Sequence, residues 1–258
     1  MRGQVRMLGA LQVAIEDRPV KIASPRERVV FAGLAIRAGE TASHDQLCRA
    51  LWGEDWSRKR DGAYRPAVSR LRKTLGTDGL VVRESFGYRL DIDSADVDLL
   101  AFETLASTCG TATSPAEWQR ALELLTQAAA LWRGAPFADI PSDYLRREHR
   151  HRLEAKFALV RAKRIEAVIR VSPPRAAAEA LHDLESLIRD NPGDEHLRWL
   201  QMLALYRSGR QTEALAAFRE AWRYCDRKLG VRPGQDLQNL NKRMLSAAPG
   251  LTKTPYTD

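Results

Sequence analysis

The sequence predicts a mainly α protein with a small β component: a winged helix-turn-helix followed by an all-α, tetratricopeptide-like helical domain. Three observations lead there. Between residues 1 and 95 the pattern runs strands, two punctuated helices, a basic helix and a hairpin, the layout of a winged helix. From Val97 onward only helical spacing recurs. Late in the chain, Trp199 and Tyr206 precede Gly209, and Ala214, Phe218 and Ala221 follow it, a spacing by which small and aromatic residues interlock a tetratricopeptide-type helix pair. An ordinary antiparallel helix hairpin fits the same spacing, because Leu203 stands where that repeat usually carries glycine.

Composition bounds the function classes. The chain has 258 residues, 44% hydrophobic, which is enough for one large or two ordinary cores. Its net charge of +8 favours an anionic partner. No stretch approaches the roughly 18 apolar residues that span a bilayer, so no membrane partner is expected. The N-terminal apolar run breaks at Glu16 and Asp17, against a secretory signal. Cys48, Cys109 and Cys225 are scattered without CxxC or histidine spacing, which suits a reducing cytoplasm and argues against a disulfide frame or a zinc site.

The elements follow in order. Val5, Met7, Leu11, Val13 and Ile15 largely alternate through residues 1–22, with a turn at Asp17-Arg18-Pro19. Ser24-Pro25-Arg26-Glu27 reads as a capping box opening a helix that runs to about Arg37 and stops at Gly39. Ser43-His44-Asp45-Gln46 repeats the signal for a helix ending at Leu51-Trp52-Gly53. The third helix contains RPAVSRLRKTL, from Arg65 to Leu75, and stops at Gly76. Residues 80–83 and 87–90 then flank a short tip as a hairpin. Asp91–Asp98 is the expected junction, giving a first domain over 1–95, a helical domain over 96–251 and a tail over 252–258. Ser114 to Glu117 caps the next helix, and further helices are expected near 142–170, 174–190, 194–208, 211–228 and 234–246.

The third helix carries the functional argument. At about 100° per residue, Tyr64, Val68, Leu71 and Leu75 form one apolar stripe, and Pro66, Ser69, Arg70 and Lys73 lie opposite. Arg65 and Arg72 flank the stripe. Residues 57–75 hold seven Lys/Arg (58, 59, 60, 65, 70, 72 and 73) against the single acid Asp61, which accounts for the whole positive excess of residues 1–95. Such a face neutralises phosphates, and a side chain like Arg70 pairs bidentately with guanine. A solvated basic face is the alternative for the helix alone. Its place between two capped helices and a hairpin favours DNA: the third helix enters the major groove, and Arg83 and Arg89 bracket a wing tip over backbone or minor groove. Pro66 costs roughly 3 kcal/mol inside a helix, so the helix either begins late, with Pro66 in its first turn, or is kinked.

At these residues the chain resembles a known family. LGALQV, SPRERVVFAGLAIRAGETASHDQLCRALWG, VSRLRKTLG and GYRLDID are similar to the N-terminal half of the Streptomyces antibiotic regulatory protein family. DLLAFETL, ALELLTQAAALWRG and MLALYRSGRQTEALAAFREAWRYCDRKLGVRPGQDLQNL resemble that family's bacterial transcriptional activation domain, so the likeness spans about residues 4 to 250. The resemblance implies an OmpR-type winged helix acting as a transcriptional activator of secondary-metabolite (antibiotic) biosynthesis genes. It implies binding of direct repeats in double-stranded promoter DNA, as a dimer or in tandem, and contact with RNA polymerase holoenzyme through a sigma factor or another subunit. Larger relatives add ATPase and sensor domains, so this chain reads as a small member or a truncated one. Pro66 departs from the family, where a helix-compatible residue usually precedes AVSRLR.

No catalytic grouping is legible, so the chain reads as no enzyme and needs no cofactor or metal. His149 and His151 do not share a helix face, and His182 and His196 lack ligand-spaced partners. Residues 142–170 carry nine basic and four acidic residues, read as a solvated or interdomain face over an auxiliary DNA surface. Trp52, Trp132, Trp199 and Trp222 are assigned to core packing. The resulting site is Arg65, Ser69, Arg70, Arg72, Lys73, Arg83 and Arg89, in a cytoplasmic, nucleoid-associated activator. The alternative is a helical-repeat interaction or ligand-sensing module whose winged helix docks protein.

Overall fold

The computed structural model describes residues 3–54, 56, 64–76, 79–108, 112–248 and 251. Arg58, Lys59, Arg60 and Asp61, Cys109 and the expected tail 252–258 lie outside the described residues. The chain forms two compact units, Met1–Thr108 with Gln127–Phe157, and Cys109–Thr126 with Ala158–Asp258.

The first unit opens with an antiparallel sheet of β1 (Gly3–Arg6), β2 (Gln12–Ile15) and β3 (Arg18–Val20). Val5 faces Val13 in the β1–β2 register, and Val5, Val13 and Ile15 are buried. The turn into β3 sits at Glu16 and Asp17, both with positive φ, and Arg18 and Pro19 are already strand residues. Helices α1 (Pro25–Ala35), α2 (His44–Trp52) and α3 (Arg65–Leu75) follow, then the hairpin β5 (Val81–Glu84) and β6 (Gly87–Leu90). A three-residue strand, β4 (Thr41–Ser43), pairs with β6 to give the order β4-β6-β5. Gly87 is required there, because a Cβ on it would overlap the Ala42 carbonyl of β4.

The two helix starts in this unit differ. Ser43 and Gln46 form the full capping box at α2: the serine Oγ accepts from Gln46 N at 3.2 Å, and Gln46 Oε1 accepts from Ser43 N at 2.8 Å. At α1 the expected box is absent. Ser24 makes no side-chain cap, Pro25 occupies the first turn, and Glu27 is buried facing α3. A buried carboxylate needs charged or hydroxyl partners more than a solvent-facing amide needs a cap.

The first unit extends past residue 95. Helix α4 (Asp98–Thr108) begins with a buried aspartate whose carboxylate accepts from Met7 N at 2.7 Å and Leu8 N at 3.0 Å. Arg133, in the loop after α5 (Pro115–Ala130), stands 3.6 Å from the same carboxylate. Trp132 stacks on Phe157 at 4.2 Å and meets Phe102 at 5.4 Å. A short α6 (Asp143–Leu145) is held by Ser142, whose hydroxyl donates to Ala50 O at 2.5 Å.

Helix α7 (His151–Val171), preceded by a π-helical stretch at Arg146–Arg150, leads into the second unit. There α8 (Pro174–Glu179), α9 (Leu181–Asp190), α10 (Glu195–Arg207), α11 (Gln211–Tyr224) and α12 (Gln235–Leu245) pack around one apolar core. Helix α10 is buried nearly all round through Leu197, Leu200, Met202, Leu203, Ala204, Leu205 and Tyr206, as a central helix must be. The small residues Ala214, Ala217 and Ala221 let α11 approach it closely. Gly209, at φ +77°, makes the turn between the two helices.

Candidate nucleic-acid interface

Helix α3 is seated by Tyr64 just before it and by Ala67, Val68, Leu71 and Leu75, all buried. Pro66 lies in its first turn, where its missing N–H leaves no hydrogen bond unmade, so the proline opens the helix without kinking it. Gly76, at φ 70°, closes the other end. The opposite face exposes Arg65, Pro66, Ser69, Arg70 and Lys73.

The seven predicted site residues separate by what they touch. Arg70 donates from Nε to Glu27 Oε1 at 3.2 Å, and Thr74 Oγ1 donates to Glu27 Oε2 at 3.1 Å. One buried acid of α1 therefore fixes two positions of α3. Arg72 turns the other way, donating from Nε and Nη2 to Val81 O at 2.9 and 2.6 Å, with its guanidinium 5.6 Å over the Tyr88 ring. Arg89 is paired within the hairpin, to Glu84 Oε1 at 3.1 Å and to Asp91. Arg83 is exposed on β5, and Phe86 at the hairpin tip is 80% exposed. Thus Arg65, Ser69, Arg70 and Lys73 share one helix face, Arg83 projects from the wing, and Arg72 and Arg89 face partners inside the domain.

Sequence reasoning missed the supporting groups. Glu27 has the spacing of a cap residue, but it also stands four and seven residues before Phe31 and Leu34, on the inward face of its helix. Strand β4 has no alternation in its three residues and exists only through its pairing with β6. His44, Tyr64 and Tyr88 form a ring column beneath the start of α3, at centroid distances of 5.6 and 6.1 Å. Burial pushes the Tyr64 phenol above its ordinary value. Among the described residues no group of three or more His, Cys, Asp or Glu is placed to hold a metal ion, and no helix is long and apolar enough to cross a membrane. Cys48 and Cys225 are buried thiols outside any disulfide among the described residues.

Comparison with known proteins agrees with this architecture. Residues 18–90 match the family described as transcriptional regulatory protein, C terminal, and residues 97–245 match the bacterial transcriptional activator domain. Regulatory protein AfsR of Streptomyces coelicolor is 36% identical over 96% of this chain, which spans only 24% of AfsR. Regulatory protein DnrI of Streptomyces peucetius is 31% identical, with 97% of this chain and 94% of DnrI covered. The solved structure of Mycobacterium tuberculosis EmbR in complex with a low-affinity phosphopeptide superposes with a TM-score of 0.81 at 30% identity, covering 96% of this chain and 66% of that one. The chain belongs to the Streptomyces antibiotic regulatory protein family of transcriptional regulators, with a winged helix followed by a bacterial transcriptional activator domain.

Proposed function

We propose that the chain is a sequence-specific DNA-binding activator whose α3 enters the major groove of promoter DNA. The observation that carries the reading is the exposed face of Arg65, Ser69, Arg70 and Lys73 on a helix seated in a winged fold. Its Nε held by Glu27, Arg70 has its terminal nitrogens to present to guanine O6 and N7. Lys73 and Arg65 neutralise phosphates, and Arg83 reaches backbone from the wing. Arg72 and Arg89 act in support, fixing the hairpin against α3 and bracing its strands.

The winged helix, residues 1–95, supplies DNA recognition, and the helical domain, 96–251, holds protomers in tandem on direct repeats or engages RNA polymerase. The genes regulated are secondary-metabolite genes, and the site of action is the cytoplasmic nucleoid. The test is anisotropy titration of the promoters of neighbouring genes with wild type, Arg70→Ala and Lys73→Ala. Arg70→Ala is expected to cost about 1–3 kcal/mol and to relax preference at one base position. Lys73→Ala weakens binding across sequences and lowers the salt slope by about 0.9 for its phosphate. Unchanged affinity in both variants would mean that α3 is not the reading helix.

A further inference from the structure

The helical unit contains a cleft of about 800 Å³ lined from α7, α10 and α12. Half-buried Trp199 forms part of its wall, with the Arg170 guanidinium 5.7 Å from the indole and His196 nearly parallel to it at 6.2 Å. Arg170 also lies 5.3 Å from the Trp118 ring, so its position is fixed by two aromatic side chains.

The charges in this cleft are unequally engaged. Glu166 accepts from Arg170 Nη2 at 3.0 Å and stands 3.6 Å from His196 Nε2. Glu195 accepts from Gly234 N at 2.6 Å. Lys242 and Arg243, exposed in the last turn of α12, form no ion pair and no side-chain hydrogen bond among the described residues. Asn239 accepts from Gln235 through Oδ1 at 2.8 Å, which leaves its amide N–H groups as donors. Asp236, also on the cleft, is at the far end of α12, roughly 9 Å along the axis from Lys242. The groups left to meet a ligand are two cations in the last turn of α12, the Asn239 amide midway along it and the Asp236 carboxylate in its first turn, with an indole on the wall.

We propose that this cleft docks an acidic peptide segment of a protein partner, its carboxylates meeting Lys242 and Arg243 and an apolar side chain lying against Trp199. The volume suits a few residues, within the usual range of ligand clefts. Three acids in the wall disfavour a polyphosphate, whereas a short peptide places its few charges at the cationic end. The proposal stands independently of the DNA-binding reading.

The experiment titrates the full chain, without DNA, against fluorescein-labelled EDFEDL, EDGEDG and KKFKKL. EDFEDL is expected to bind, and Lys242→Glu with Arg243→Glu to weaken it about tenfold or more while creating affinity for KKFKKL. Replacing the apolar residues, as in EDGEDG, weakens binding to wild type but makes little difference to Trp199→Ala. Both α12 substitutions are exposed and leave the buried Leu237, Leu240 and Met244 in place, so an unchanged melting curve is the control. Absence of binding at about 1 mM, equal affinity of the charge-reversed variant, or equal affinity for EDGEDG overturns the proposal.

Discussion

The two compact units are held together by different chemistry. In the first, long-range side-chain-to-backbone bonds stitch the chain. Asp98 takes the amides of Met7 and Leu8, Asp139 takes Leu11 N at 2.7 Å, and Ser142 reaches Ala50 O. In the second, many ion pairs are local, such as Arg210–Glu213 and Arg175–Glu179, and the core is a continuous set of aliphatic contacts around α10. Strand length accounts for the contrast. Strands of three and four residues leave backbone groups beyond their ends, and Met7 and Leu8 are fully buried just past β1. Buried amides without strand partners must find acceptors elsewhere. Helices satisfy most of their own amides, so in the second unit apolar fit dominates and the long-range polar bonds are fewer tethers such as Glu195 to Gly234 N and Gln211 to Met244 O.

Two substitutions test the contrast most strongly. Asp98→Ala strands two buried amides and leaves Arg133 beside an apolar gap, at an expected cost of about 3 kcal/mol. Leu200→Ala opens a cavity in the second core at a similar cost, about 3–4 kcal/mol. Their rescues differ. Met at position 200 conserves volume and recovers most of the loss, to within about 1.5 kcal/mol of wild type. Leu at position 98 recovers nothing, since volume is not what that site lacks. Chemical denaturation with amide exchange measures both, and rescue by Asp98→Leu would break the comparison.

The same contrast explains what the sequence made legible. Much of the second unit is readable because its packing is periodic: the helices expected near 194–208, 211–228 and 234–246 appear at Glu195–Arg207, Gln211–Leu229 and Gln235–Leu245, the second ending in a π-helical stretch, whereas the one helix expected over 174–190 is two, Pro174–Glu179 and Leu181–Asp190. In the first unit the helices and hairpin were equally readable, and so was the exposed face of α3. Glu27, β4 and Asp98 were not, because each owes its role to a residue distant in sequence. Arg72 and Arg89 sit beside exposed cations in the same charge run, and charge counting cannot tell which way a guanidinium turns.

Glu27 provides a smaller test within the first unit. Glu27→Gln keeps shape but removes the charge opposite Arg70, whose side chain is 56% exposed. Solvent around Arg70 limits the stability loss to about 1 kcal/mol. On the proposed DNA reading, the effect on binding is larger than that on stability. Arg70 carries an uncompensated charge and loses its fixed orientation, so affinity for unrelated DNA rises while discrimination for the promoter falls. Equal changes on both DNAs would show that Glu27 contributes charge alone and does not aim Arg70.

The smallest expected effect lies at the start of α5, in the second unit, where a polar device is wholly local. Glu117 accepts from Thr113 N at 2.6 Å, from Ser114 N at 3.0 Å and from Thr113 Oγ1 at 2.9 Å, while Ser114 Oγ accepts from Glu117 N. These bonds, led by the Thr113 amide, lower its carboxyl from 4.5 to about 2. Because the folded value lies below the unfolded one, the stabilisation is present above about 4.5 and disappears as pH falls toward 2. Carboxyl titration by NMR should therefore find Glu117 still ionised well below pH 4.5. Glu117→Gln removes that part of the acid limb and frays the first turn of α5. Asp98 must behave oppositely, because burial raises its carboxyl despite the two amides and Arg133. Its ionised form thus costs stability as pH rises through the raised value, and the fastener is retained for the amides it satisfies. Two carboxylates that both accept backbone N–H groups thus shift in opposite directions, and water at the site decides which way. A Glu117 titrating near 4.5 would show that solvent competes successfully for those amides, and that even this local device is weaker than its geometry.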